Sequence, residues 1–512
     1  MRHALMVLLL LIPLCALSVA GQPAWREIPQ DISRNMSQPI VNGVLTSGLP
    51  SVGMLLIDGG DGVGLCTGTL IGCRTVLTAA HCFCGDDTPG SLCQPSAISA
   101  VWFQHARPSL ISDVIIHPDY LFAEGSDLAL VKLQNPVTGI APTPINTAGR
   151  PPNGTPGIVA GFGRTGGAAE NSGVKRAGLV STAPCQVANP DTHTCWNFLA
   201  PLGNAGEDSS TCQGDSGGPL FLDLGSGVRV GGVTSGGIGD CLTPNNPWQA
   251  DVFVDRAWIQ QNGGTDLGNT TCGSLPQAGT SGAPVQFASG NLGSGNPDDT
   301  WTFDVPAGTG LLRAAVNGED PLGPIFGGNN FDLRIRRGAA PTGSQFDCEA
   351  DGTGALELCE IADPTSGQWF ATVDRLVGEG EYQLTVTTFA GQTTPGPCVE
   401  GPNTLCLVDD RFRVEVDWRT PQGDVGVGHA KELTPDTGYF WFFNEENVEM
   451  VIKVLDACSF ADHFWVFAGG LTNVEVHIEV TDTLRGGTVP YDNPLGSAFQ
   501  PIQDTTAFAT CP

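Results

Sequence analysis

Gly214-Asp215-Ser216-Gly217-Gly218-Pro219 is the stretch on which the reading of this chain turns. A serine hydroxyl is a weak nucleophile near neutral pH and needs a base to take its proton. Glycines on both sides of Ser216 let the backbone turn tightly and approach a second chain closely. The N–H groups of Gly214 and Ser216 are then candidates to converge on one oxyanion. A Gly-rich turn with an incidental serine is the plain alternative, and the hexapeptide as a whole argues against it.

Moving outward, two segments supply what such a serine lacks. Thr78-Ala79-Ala80-His81-Cys82 follows the strand-like run Thr75-Val76-Leu77 and sets a histidine beside a cysteine able to pin its loop. Ser126-Asp127-Leu128-Ala129-Leu130-Val131-Lys132-Leu133 opens an apolar strand with an aspartate that can be buried and aimed inward. A lone histidine is usually structural and a lone aspartate usually a turn or cap. Together with Ser216 they make a base, an orienting carboxylate and a nucleophile.

These three segments, in the order His81, Asp127, Ser216, resemble the trypsin/chymotrypsin family and differ from the order of subtilisins and α/β-hydrolases. Ile40-Val41-Asn42-Gly43, Cys66-Thr67-Gly68-Thr69-Leu70-Ile71, Gly161-Phe162-Gly163 and Trp258-Ile259 extend the resemblance over residues 40–262. It implies an all-β protease domain of two six-stranded barrels with the site between them. It also implies an oxyanion hole from Gly214 and Ser216, a hydroxyl at Thr234 near Asp127, and a Ser235-Gly236 edge that pairs with substrate backbone. Disulfides Cys66–Cys82, Cys212–Cys241 and Cys185–Cys195 are expected on the same basis. Cys73, Cys84 and Cys93 fall outside the family's common set, and one of them is a candidate partner for Cys272.

The resemblance implies activation by cleavage before Ile40, whose freed ammonium pairs with Asp215. Gln38-Pro39 precedes that bond, which does not suit a trypsin-like activator. Release by another protease is expected, with a single-chain active form as the alternative. Ser210 stands where trypsins carry an aspartate at the pocket floor, against simple Arg/Lys preference. The far wall is either Trp248, which would nearly fill the pocket, or Asp251, a carboxylate able to attract a basic side chain. The second alignment is favoured.

Composition agrees with export. Residues 1–20 carry Arg2 and His3, an apolar run from Ala4 to Ile12, then Pro13 and small residues, the pattern of a secretory signal. The run is too short to span a bilayer, and Leu14 before Cys15 does not suit lipidation. Of 17 cysteines, Cys15 leaves with the signal, and sixteen is an even number fit for disulfides. The formal charge of −30 becomes −31 when Arg2 is removed (−30 − 1), a surface that repels nucleic acid. A soluble extracellular monomer acting on protein or peptide substrates, without a membrane anchor, is expected.

Residues 21–39 read as a propeptide, 263–281 as a Gly/Ser/Thr/Asn-rich linker, and 391–397 as a second one. Between them, residues 282–390 show strand-like runs at 301–305, 331–335, 369–373 and 382–386. Asp299 to Gly308, Asp332 to Gly338, Cys348 with Cys359, and Gly367-Gln368-Trp369-Phe370 resemble bacterial pre-peptidase C-terminal domains, which implies a β-sandwich attached to a secreted bacterial protease. No cofactor is expected. Asp298, Asp299 and Asp332 are weighed as a structural Ca²⁺ site, with solvated turn carboxylates the simpler reading. Residues 398–512 form a further β-rich accessory domain. There the cluster Tyr439-Phe440-Trp441-Phe442-Phe443 reads as sandwich core rather than a polymer-binding face, and His429, His463 and His477 lack ligand spacing. The rival to a peptidase is an extracellular binding or adhesion protein with an inactive protease-like domain.

Overall fold

The computed structural model describes residues 40–58, 63–84, 99–121, 123–166, 169, 171–199, 208–273, 275–279, 283–322, 328–391, 398–484 and 487–511. The proposed signal and propeptide, Cys93 and most of the 391–397 linker lie outside them. The chain is all-β with short helical pieces.

Six strands close the first barrel: Val52–Asp58, Val63–Leu70, Thr75–Thr78, Ala129–Leu133, Ser109–Ile116 and Ser99–Trp102. Their apolar side chains fill it, with Leu55, Leu70, Val76, Val101 and Val131 wholly buried. The second ring runs Pro156–Gly161, Arg176–Ala183, His193–Trp196, Trp248–Asp251, Val228–Gly236 and Pro219–Asp223, and closes where Pro156–Gly161 pairs with Arg176–Ala183. Val44–Leu45 is added on its edge. A helix, Arg256–Gly263, follows the last strand of this ring. One apolar cluster joins the barrels, combining Val52, Leu77 and Leu130 with Phe221, Val233 and Ile259.

Residues beyond the two barrels form two sandwiches. In the first, the sheet Val285–Leu292, Gly380–Ala390, Thr309–Gly318, Leu356–Ala362 faces the sheet Asp298–Val305, Gly367–Val377, Asn330–Arg337, Cys348–Ala350. Phe331, Leu333, Trp369 and Leu384 lie in the shared core. In the second, four strands with a short edge strand pack on five. Alternation explains its packing: along Phe412–Arg419, Phe412, Val414 and Val416 are buried, whereas Arg413 and Glu415 are only partly so. Of the aromatic cluster, Phe440 and Phe442 are core, and Phe443 is exposed.

The 263–281 segment is pinned to the first barrel. Asp266 accepts hydrogen bonds from Arg74 N–H at 2.9 Å and Thr75 Oγ1 at 2.7 Å, and Cys272 bonds Cys73. Cys66–Cys82, Cys185–Cys195, Cys212–Cys241, Cys348–Cys359, Cys398–Cys406 and Cys458–Cys511 are also bridged. Among the described residues no helix is long and apolar enough to cross a membrane.

The first sandwich is built onto the barrels. Ala315 belongs to the cluster that joins the barrels, with Leu356 and Leu358 packed against it. Gly173 sits in that seam at φ +118°, and a Cβ there would lie 2.3 Å from the Gly318 carbonyl oxygen. Gly173→Ala is therefore expected to cost roughly 2 kcal/mol or more. The measurement is the urea unfolding midpoint; an unshifted midpoint would refute the close approach.

Candidate active site

Each barrel contributes part of the site. After the strand Thr75–Thr78 the chain enters a 3₁₀ turn, Ala80–Cys82, held to the neighbouring strand by Cys66–Cys82. That turn presents His81. Asp127 lies just before the strand Ala129–Leu133 and is wholly buried. Its Oδ1 accepts the His81 backbone N–H at 3.0 Å, and its Oδ2 lies 2.7 Å from His81 Nδ1. Burial by itself raises the Asp127 pKa. The adjacent imidazole and the hydrogen bonds from His81 and Ser235 outweigh it and hold the carboxyl below its ordinary value.

The hydroxyl on Asp127 comes from Ser235, whose Oγ donates to Oδ2 at 2.6 Å. This corrects the expectation for Thr234. Successive strand side chains face opposite ways, so Thr234 points to Gln249, whose Nε2 donates to Oγ1 at 3.0 Å. The Thr234 backbone, in turn, holds the serine loop. Its N–H donates to Gly218 O and its carbonyl accepts the Gly217 N–H, both at 2.8 Å. These bonds fasten that loop to the second barrel, and Thr67 N–H donating to Ser216 O at 2.8 Å fastens it to the first.

The glycines around Ser216 answer to space. A Cβ on Gly217 would stand 2.0 Å from Thr78 Oγ1, and one on Gly218 would stand 2.6 Å from Ala160 O. Gly214 adopts φ +95°. Among the described residues the N–H groups of Gly214 and Ser216 have no acceptor. His81 and Ser216 line one cavity of about 340 Å³, together with Thr211, Gln213 and the Ser235–Gly239 segment.

The pocket residues require two corrections. Asp251 does not reach the cavity. It pairs with Gly232 in the sheet, is wholly buried, and its carboxylate accepts Arg150 Nε at 2.9 Å, Thr194 Oγ1 at 2.8 Å and Phe253 N–H at 3.0 Å. A carboxylate already answered by an arginine cannot serve a basic substrate side chain. Trp248 does not fill the pocket either. Its ring lies behind Gly236, where a Cβ would come within 2.4 Å of it, and it packs with Ala188 and Cys195. Ser210, expected at the pocket floor, is wholly buried with its N–H on Val41 O at 3.1 Å and does not line the cavity, whereas the next residue, Thr211, does. Gln213, Ile238, Gly239 and Asn245 also line the cavity and were not legible in sequence; the Gly236-Gly237 run was the one signal for this wall.

Ile40 is buried among Val159, Val180, Trp196 and Leu220. Asp215 is wholly buried and accepts Gly163 N–H and Cys212 N–H, each at 2.8 Å. Gly161 and Gly163 are glycines for this reason, since a Cβ on either would meet the Asp215 carboxyl within 2.7 Å. Burial raises the Asp215 pKa to about 7, against those two hydrogen bonds and the field of Arg176. Among the described residues it has no cation in ion-pair contact. Of the carboxylates weighed for Ca²⁺, Asp299 accepts Tyr382 Oη at 2.9 Å and Asn296 Nδ2 at 3.0 Å, and Asp332 sits across from Asp374 near Arg334. Among the described residues no three side chains form a metal-binding group.

Residues 44–259 match the trypsin family, and residues 298–375 match the bacterial pre-peptidase C-terminal domain. Over 204 residues the chain is 32% identical to tryptase of Mus musculus, spanning 36% of this chain and 72% of that relative. It is 32% identical over 216 residues to serine protease SSP1 of Scolopendra subspinipes, spanning 39% and 73%. It is 35% identical over 218 residues to serine protease 56 of Homo sapiens, spanning 39% and 35%.

Asp215 has a consequence for stability. Between an unfolded carboxyl pKa near 4 and the folded value of about 7, the folded chain holds a proton that the unfolded chain has lost. This group's contribution is full below pH ~4 and is lost as pH rises through 7. Asp215→Asn should remove that fall, so the stability difference between variant and parent should shift by a few kcal/mol in the variant's favour from pH 4 to 7. Urea unfolding across that range measures it; a pH-independent difference would contradict the burial argument.

Proposed function

This chain is a member of the trypsin family of serine proteases, and on that premise we propose that it is a secreted endopeptidase that cleaves through an acyl-enzyme. The single observation that carries the reading is the buried Asp127 carboxylate, 2.7 Å from His81 Nδ1, beside a cavity that His81 shares with Ser216. A proton held on Nδ1 by Asp127 leaves Nε2 as the basic nitrogen. Ser216 Oγ attacks the substrate carbonyl carbon as its proton passes to His81 Nε2. The oxyanion takes hydrogen bonds from the N–H groups of Gly214 and Ser216. His81 then protonates the departing amine, and the acyl group remains on Ser216. Water, deprotonated by the same nitrogen, releases the acid and restores the serine.

An uncharged apolar side chain suits the pocket. Its walls carry Ile238 and glycines beside the uncharged Thr211, Gln213 and Asn245, and Asp251 lies outside it, engaged by Arg150. Activation by cleavage before Ile40 fits the state of Asp215. An ammonium brought to that carboxylate would offset the burial that raises it to about 7. Export is supported by the signal-like residues 1–20 and the seven bridges described.

Ser216→Ala should lower turnover on a protein substrate at least about ten-thousandfold, and a serine-directed phosphonate should label Ser216 in the parent. A folded, unlabelled parent would favour the binding or adhesion reading instead. A peptide-library profile should find cleavage after apolar residues; cleavage after Arg or Lys would reject the pocket assignment.

A further inference from the structure

The seam between the protease half and the first sandwich is polar and closed. Gln383 sits at its centre: its Nε2 donates to Lys175 O at 2.8 Å, and its Oε1 accepts the Lys175 N–H at 2.7 Å and Gln104 Nε2 at 2.8 Å. Asn317 Nδ2 donates to Gly173 O at 2.9 Å, and Thr387 Oγ1 lies 3.0 Å from His105 Nδ1. Arg176, 1% exposed, forms an ion pair with Glu381, which is itself buried. Burying such groups is costly without partners, and here each makes a polar contact to the other domain. The sandwich is therefore held in one orientation on the protease half.

That orientation carries one segment to the cleft. Asp320 N–H donates to Ser172 O at 2.7 Å, and Pro321 lies against Gly173. Beyond them a cavity of about 460 Å³ opens between the domains. Leu65, Arg164, Gln213 and Gly214 form its protease wall, and Asp320, Pro321 and Leu322 form its opposite wall. Gln213 also borders the cavity that holds His81 and Ser216. Gln213 thus borders both cavities, with Gly214 on the second and Ser216 on the first. With the acyl side of a peptide in the Ser216 cavity, the residues beyond the scissile bond emerge into the second.

We propose that segment 320–322 of the sandwich is the wall against which the residues following the scissile bond are bound, so that the second domain sets specificity on the leaving-group side. The claim rests on the peptidase reading above. Leu65 and Leu322 give this cavity apolar faces suited to an apolar side chain at that position, and Arg164 adds a cation on the protease wall.

The test uses the full chain with Leu322→Trp, which narrows the cavity, and Leu322→Asp, which adds a charge while shortening the side chain. Each is assayed on two substrates with the same acyl side: one ending in a small chromogenic amide, the other a peptide extending several residues past the cleaved bond. For Leu322→Trp, kcat/KM on the extended peptide should fall about tenfold more than on the amide. For Leu322→Asp, a library randomised after the cleaved bond should lose apolar and acidic residues and gain basic ones. Equal changes on both substrates, or an unaltered library profile, would overturn the proposal. A parent that cleaves neither substrate and resists the phosphonate would instead bring down the peptidase reading, a distinguishable result.

Discussion

One contact holds the two barrels in working relation: the Ser235 hydroxyl of the second barrel donates to the buried Asp127 carboxylate of the first at 2.6 Å. Asp127 is also the group that holds the His81 ring and its backbone. A carboxylate with no exposed surface must have its lone pairs answered by neighbours, and here the donors come from both barrels. The serine loop is bound to both barrels in the same way, by Thr67 on one side and Thr234 on the other. The relative placement of His81 and Ser216 therefore follows from barrel packing rather than from either loop alone.

A second buried carboxylate behaves differently. Asp127 is surrounded by groups that favour its charge, and its pKa falls. Asp215 has two backbone donors and no contacting cation among the described residues, and burial pushes its pKa up to about 7. The glycines at 161 and 163 admit it, since their missing Cβ atoms would occupy its place. Two aspartates of one site thus have opposite electrostatic fates, decided by what each can pair with.

The seam with the first sandwich extends the same logic outward. Lys175 and Arg176, at the start of a strand of the second barrel, are fully buried and bonded to Gln383 and Glu381 of the sandwich. Gln383 pairs with both the backbone of Lys175 and the side chain of Gln104, so the covering surface fits in one register. The segment read as a linker from its composition is fastened by Asp266 and by Cys73–Cys272.

Much of the protein was legible in its sequence because the signals were local. Alternating apolar residues mark strands such as Phe412–Arg419, glycines flanking Ser216 mark a loop that excludes side chains, and His81 beside Cys82 marks a pinned turn. What stayed hidden depends on which way a strand faces and what lies across it. A shift of one residue turns a side chain to the opposite face, so Ser235 rather than Thr234 meets Asp127. Asp251 looked like a pocket carboxylate until Arg150, about a hundred residues earlier, proved to be its partner. Composition and spacing carry the periodicity of each segment, but partnerships between distant segments arise only when the chain packs and every buried polar group must find its answer.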